Sequence, residues 1–188
     1  TCTTKREDLP HLLRLLDDDN EIVRQGVREA FLGYGAELDS ALQTLQDRLT
    51  LAQKALLDTL LESWVADRLR EDWADWLMQP GGTGKLEKGY EILARYRGGV
   101  GIRDTLSDDL DRLAEDFCAV CPDGGASNLI RYLFKERGFQ GDQENYYAPE
   151  NSDLIHVLRN RSGLPLTLTS LAILVGSRLG IEIRGCNL

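Results

Sequence analysis

The stretch RSGLPLTLTSLAILVGSRLG, Arg161 to Gly180, constrains the fold more than any other part of the chain. A proline follows a basic, glycine-containing turn, and the helix-like run after it is apolar around most of its circumference. A surface helix carries one apolar stripe, so a helix apolar on all sides belongs in a core. Thr167, Thr169 and Ser170 interrupt the run, which falls short of the ~18 apolar residues of a membrane span. Gly180 closes it, and IEIRGCNL after it reads as a short strand. A buried helix needs partners, and 188 residues with 42% hydrophobic and 28% charged side chains can build a sizeable core.

Those partners read as helices. Leu9, Leu12, Leu13 and Leu16 form one stripe at i, i+3, i+4, i+7. DDDN breaks it, with Asn20 as cap of a second helix whose Ile22, Val23, Val27, Ala30 and Phe31 face inward, ending near Gly33–Gly35. Leu38, Leu42, Leu45 and Leu49 predict a third helix. Leu56, Leu57, Leu60, Leu61 and Trp64 predict a long fourth one reaching towards Trp76. LEKGYEILARY is amphipathic. LSDDLDRLAEDF has Ser107 as cap and Leu110, Leu113, Ala114 and Phe117 inward. SNLIRYLFKERG has Ser127 as cap, Ile130, Leu133 and Phe134 inward and Gly138 at its end. FQGDQENYYAPE reads as a long loop, and NSDLIHVLRNRSG restarts with Asn151 capping and Leu154, Val157 and Leu158 inward. The pattern predicts a mainly α-helical bundle of about eight to ten helices, with at most a short β-strand near the C-terminus. It divides into a helical region over 1–80 and a core region over 81–188.

Two motifs invite chemistry. QPGGTGKLEKGY contains GTGK, but a phosphate loop needs G-x-x-x-x-G-K-[ST]. Here Gln79 stands at the first glycine position and Leu86 at the hydroxyl position, so the segment reads as a linker. Cys118-Ala-Val-Cys121 is a lone CxxC. A zinc site needs two further ligands, and His11, His156, Cys2 and Cys186 form no paired motif. DRLAEDF before it reads as helix where a thioredoxin-type site needs a strand, so the CxxC reads as a helix end running into CPDGG. No metal and no cofactor are expected. A net charge of −9 argues against nucleic acid as a partner. Arg95, Arg97 and Arg103 read as a solvated loop. No secretory signal is visible, and the cysteine spacing suits the cytoplasm. With no initiator Met and an ending on a strand, the chain reads as a fragment of a longer protein.

Two resemblances follow. LPHLLRLLDDDNEIVRQGVREAFLGYG is similar to one HEAT repeat, which cannot bury both of its faces alone. From residue 84 to 188 the chain resembles the SirB-like branch of the transglutaminase-like superfamily. Asn128, Leu133, Phe134, Glu136, Gly138, Phe139 and Gly141 carry that pattern, followed by Tyr146, Tyr147, Pro149, Asn151 and Ser152. Val157, Leu158, Arg161, Gly163, Pro165 and Thr167 complete it. The chain departs at Asp142, Asp153, Ile155 and His156, where the family more often has Asn, Tyr, Asn and Glu.

The resemblance implies a helical core whose long helix starts where related cysteine enzymes present their nucleophile, a thiolate stabilised by the helix end. That position falls at or near Pro165, and 161–180 contain no cysteine. The family continues with Pro-Gly-His-Phe after the last residue. The expectation is a non-catalytic transglutaminase-like domain that binds a protein or peptide, with no nucleic acid and no membrane. The alternatives are an acyl-transfer or hydrolase-type enzyme completed by residues after Leu188, or a helical scaffold. Oligomeric state stays open. Asn128, Tyr147, Asn151, Arg161 and Thr167 are the candidate contacts. Asn151 also reads as a helix cap, Arg161 as a partner for helix-end carbonyls or a carboxylate, and His156 as a surface or structural histidine. Tyr146 and Tyr147 either line a groove or pack the loop down.

Overall fold

A computed structural model describes residues 8–43, 49–98 and 105–185. Among them lie nine α-helices: α1 Leu9–Arg14, α2 Glu21–Leu32, α3 Leu38–Gln43, α4 Leu51–Met78, α5 Thr83–Gly98, α6 Leu106–Val120, α7 Ala126–Arg131, α8 Leu154–Asn160 and α9 Pro165–Arg178. The fold is mainly α. Two compact units divide it: Thr1–Ala74 with Arg95–Arg103, and Asp75–Ala94 with Asp104–Leu188.

In the first unit, the leucine stripe of α1 meets Val27, Phe31 and Tyr34, joined by Leu38, Leu42, Leu57 and Leu61 in one buried cluster. The Asn20 side chain caps α2 by accepting the Ile22 N–H at 3.0 Å. Ile22 itself is 81% exposed, against expectation. At about 100° per residue it lies roughly 140° from Val27, on the far side of the helix from the buried stripe. Leu45 lies outside the described residues, and Leu49 lies after α3 rather than in it.

The second unit is built around α9. Leu168, Leu171, Ala172, Leu174 and Val175 are buried, and α6 contributes Leu106, Leu110, Leu113, Ala114 and Phe117 to the same cluster. From α7 and the π turn after it, Leu129, Tyr132 and Leu133 are the inward set, while Ile130 stays 39% exposed. Leu133 is buried as expected and Phe134 packs partly buried against the cluster, so Ile130 alone departs from the expected stripe. Beyond α9 the expected strand is absent from 181–185. Instead the Ile181 N–H donates to the Gly176 carbonyl at 2.8 Å, folding the chain back along the helix. The β structure is a parallel pair of two-residue strands, β1 Gln140–Gly141 and β2 Ser162–Gly163.

Several polar residues take other roles than the local pattern suggests. Arg178 at the end of α9 holds Glu87 of α5 through two hydrogen bonds, and it also bonds Asp111 and Ser107 of α6. Ser107 is therefore an acceptor inside α6 rather than its cap. Ser127 is likewise the second residue of α7, whose cap is Gly125. GTGK is not a linker: Thr83, Gly84 and Lys85 open α5. Lys85 Nζ donates to the Leu77 and Gln79 carbonyls at the end of α4, at 3.0 and 2.9 Å. The lysine that looked phosphate-directed closes a helix C-terminus, where a cation is favoured. Cys118 lies on α6 and Cys121 at its end.

Candidate functional site

The resemblance puts the nucleophile position of related cysteine enzymes at the start of α9. Pro165 opens it, which suits the first helical turn because proline lacks the N–H that would go unused there. Inside the helix, Thr169 Oγ1 donates to the Pro165 carbonyl at 2.7 Å, and Ser170 Oγ to the Leu166 carbonyl at 3.0 Å. Ser170 also accepts the Tyr90 hydroxyl at 3.0 Å. Thr167, buried, donates to the Asn151 carbonyl at 2.9 Å. Each hydroxyl proton is thus committed to a main-chain oxygen. A hydroxyl nucleophile needs a base at hydrogen-bond distance instead.

Asn151 sits at the centre of a polar knot against this helix end. It is 1% exposed and lies in a single 3₁₀ turn, Pro149–Ser152. Its carbonyl accepts both the Thr167 hydroxyl and the Leu164 N–H. Its Nδ2 donates to Asp142 Oδ2 at 3.2 Å and to the carbonyls of Asn145 and Tyr146 at 2.8 and 3.4 Å. Asn151 is therefore not the cap of α8. Asp153 is, accepting the Ile155 and His156 N–H groups. The physical reason is position: Asn151 precedes the helix by three residues, inside a turn that faces the loop.

Asp142 closes the loop from its other end. Its Oδ1 accepts the N–H groups of Glu144 and Asn145 at 3.0 and 2.8 Å, a side-chain turn typical of Asp. The Asn145 N–H, then the Asn151 amide, the Glu144 N–H and the charge of His156 hold its carboxyl below the ordinary Asp range, against the opposing effect of partial desolvation. Sequence reasoning passed over Asp142 as a site residue. The signal available was the D-x-E-N pattern of an Asx turn nine residues before a buried Asn. Between the two anchors the loop displays Tyr146 and Tyr147, edge to face at 5.2 Å, with Tyr147 93% exposed.

Of the five candidate contacts, Tyr147, Asn151 and Thr167 are gathered at this knot. Arg161 ends α8 in the left-handed conformation, φ 58°, and its carbonyl accepts the Gln140 N–H beside the small sheet. Asn128 lies on α7, where its carbonyl accepts the Tyr132 N–H. Among the described residues no hydrogen bond joins Asn128 to the knot. His156 is partly exposed and bonded to the Asn160 amide at 3.2 Å.

A mainly helical unit with a buried helix behind a polar, turn-rich approach is the class of protein defined here. The sequence profile of the transglutaminase-like superfamily matches residues 104–188, so a transglutaminase-like segment is present. The chain is similar to a UPF0162 protein of Vibrio cholerae, 38% identical over 59 residues, covering 31% of this chain and 22% of that one. It is also 44% identical over 57 residues to a UPF0162 protein of Xylella fastidiosa, covering 30% and 20%. The chain thus spans about a fifth of the curated relatives it matches. No solved structure matches. Among the described residues no helix is long and apolar enough to cross a membrane.

Proposed function

We propose that the second unit is a non-catalytic transglutaminase-like module of the SirB-like branch that binds a protein or peptide, and that the N-terminal helices form a HEAT-like appendage. The observation that carries this reading is the commitment of the Thr167, Thr169 and Ser170 hydroxyls to main-chain carbonyls, in a helix start with no cysteine. Covalent acyl transfer needs an activated nucleophile, and a hydroxyl already donating to a carbonyl is not one. What that helix start supports instead is a fixed display: Asn151 and Asp142 hold a loop that presents two tyrosines, a residue type enriched at interface hot spots. The unbridged Cys118 and Cys121 suit a cytoplasmic setting.

The test is amine incorporation and peptide hydrolysis by the purified chain, before and after alkylation of its cysteines. No turnover in either state is expected. Turnover abolished by alkylation would overturn the reading in favour of a thiol enzyme. Turnover that survives it would point to Thr167, Thr169 or Ser170.

A further inference from the structure

We infer that a cavity on the α6–α8 side of the second unit binds a peptide carboxylate, an inference that rests on the peptide-binding reading above. The cavity holds about 380 Å³ and is lined by four arginines and three aspartates. Two pairs cancel: Arg112 bonds Asp109 at 3.1 Å, and Arg137 bonds Asp116 at 3.0 Å. Arg159, Arg161 and Asp108 remain, and among the described residues no ion pair or side-chain hydrogen bond engages them. The Nε of Arg137 is buried with no hydrogen-bond partner. It is closed off from the cavity by protein, so a ligand falls to the guanidinium groups of Arg159 and Arg161.

The backbone makes the same point. Arg161 is the one non-glycine residue with positive φ among the described residues. Glycine takes that conformation at no steric cost, so Arg161 carries its guanidinium here at some cost to the backbone. The π turn Tyr132–Glu136 comes just before Arg137, whose N–H reaches back to the Tyr132 carbonyl while its guanidinium lies 5.9 Å from the Tyr132 ring centre. Such turns frequently occur at functional sites.

The chemistry selects the ligand. Guanidinium forks match the planar geometry of a carboxylate. Four positive against three negative side chains leave one charge to neutralise, and the three aspartates disfavour a doubly charged phosphate. Leu113, Phe139 and Leu158 add apolar lining for the side chain next to that carboxylate. A chain-terminal carboxylate and an acidic side chain share this chemistry.

Calorimetric titration of the whole chain separates them. The probes are acetyl-leucyl-leucine as the free acid, the same peptide as its C-terminal amide, the amide of acetyl-glutamyl-leucine, and inorganic phosphate. The free acid is expected to bind at least tenfold more tightly than its amide. A glutamyl amide that matches the free acid supports recognition of any carboxylate; one that matches the neutral amide supports recognition of the chain terminus. Arg161→Gly keeps the left-handed backbone and removes the guanidinium, so it should fold at least as stably as the parent and lose tenfold or more in affinity. Arg159→Gln should lose affinity too. Equal binding of acid and amide, phosphate binding at least as tight as the free acid, or no binding by any probe at millimolar concentration overturns the proposal. Peptide binding unchanged in both variants defeats this site and leaves the peptide-binding reading standing. Thiol-dependent amine incorporation defeats that reading itself.

Discussion

The buried amide of Asn151 shows how one residue organises a site. Its side chain serves Asp142 and two loop carbonyls, and its own carbonyl serves α9. Asn151→Ala removes the donor that ties the loop to this buried turn, leaving the Asn145 carbonyl with the Ala148 N–H alone and Asp142 with the two N–H groups on its Oδ1, and should cost about 1–3 kcal/mol. Urea unfolding should register that loss; a change under a few tenths of a kcal/mol would mean the knot is ornamental. Asp142 adds a pH dependence. Its carboxyl lies below the ordinary Asp value of 3.8, first because of the Asn145 N–H. A depressed folded-state pKa contributes stability that is present above the unfolded value and lost as pH falls through the folded one. The Asn151 side-chain amide protons should therefore shift in NMR spectra as pH drops below 3.8, and Asp142→Asn should abolish that shift. The same acid shift in the variant would assign it to another group.

At the scale of the element, α9 decides most. Leu171 and Leu174 are fully buried in its centre. Leu171→Ala or Leu174→Ala should each cost about 2–5 kcal/mol in thermal or denaturant unfolding. If neither lowers the melting temperature, α9 is not the core. Gly176 offers a sharper test. In an exposed helix, Gly→Ala gains about 1 kcal/mol of propensity. Here a Cβ would meet the Ile181 carbonyl oxygen at 2.8 Å and Ile183 Cδ1 at 3.1 Å. Gly176→Ala should therefore destabilise, and a rise in melting temperature would show that the returning 181–183 segment does not press on the helix. The core role of α9 was legible from its sequence, because apolar residues around a whole circumference leave no solvent face. The return of the chain after Gly180 was not. IEIRG alternates like a strand, yet period-two alternation says nothing of whether a neighbour with free N–H and C=O groups lies alongside, and for 181–185 none pairs with it.

For the whole molecule, each unit has its own hydrophobic cluster. Phe31 is completely buried in that of the first unit. Phe31→Ala should remove about 3–5 kcal/mol there. Hydrogen exchange should accelerate across α1 and α2 more than across α6 and α9; equal acceleration everywhere would mean that the two clusters behave as a single core. Helices, their approximate limits and most inward leucines could be read in advance, since apolar spacing and caps act within a turn or two of the chain. Even there Ile22 was misplaced, because a list of apolar residues near one another does not say which stripe faces the neighbour. The candidate site was legible only in fragments: Asn151, Thr167 and Tyr147 were named, but Asp142 and its turn were not. Asn151 looked like a cap because an amide before a helix has the same local signature whether it serves that helix or a loop nine residues back. Arg178 carried no signal at all, since its partner Glu87 lies 91 positions away. Periodicity along the chain encodes which faces avoid water. Which polar group meets which depends on distant segments arriving together, so the knot, the arginine hub and the carboxylate-seeking cavity exist only once the chain has packed.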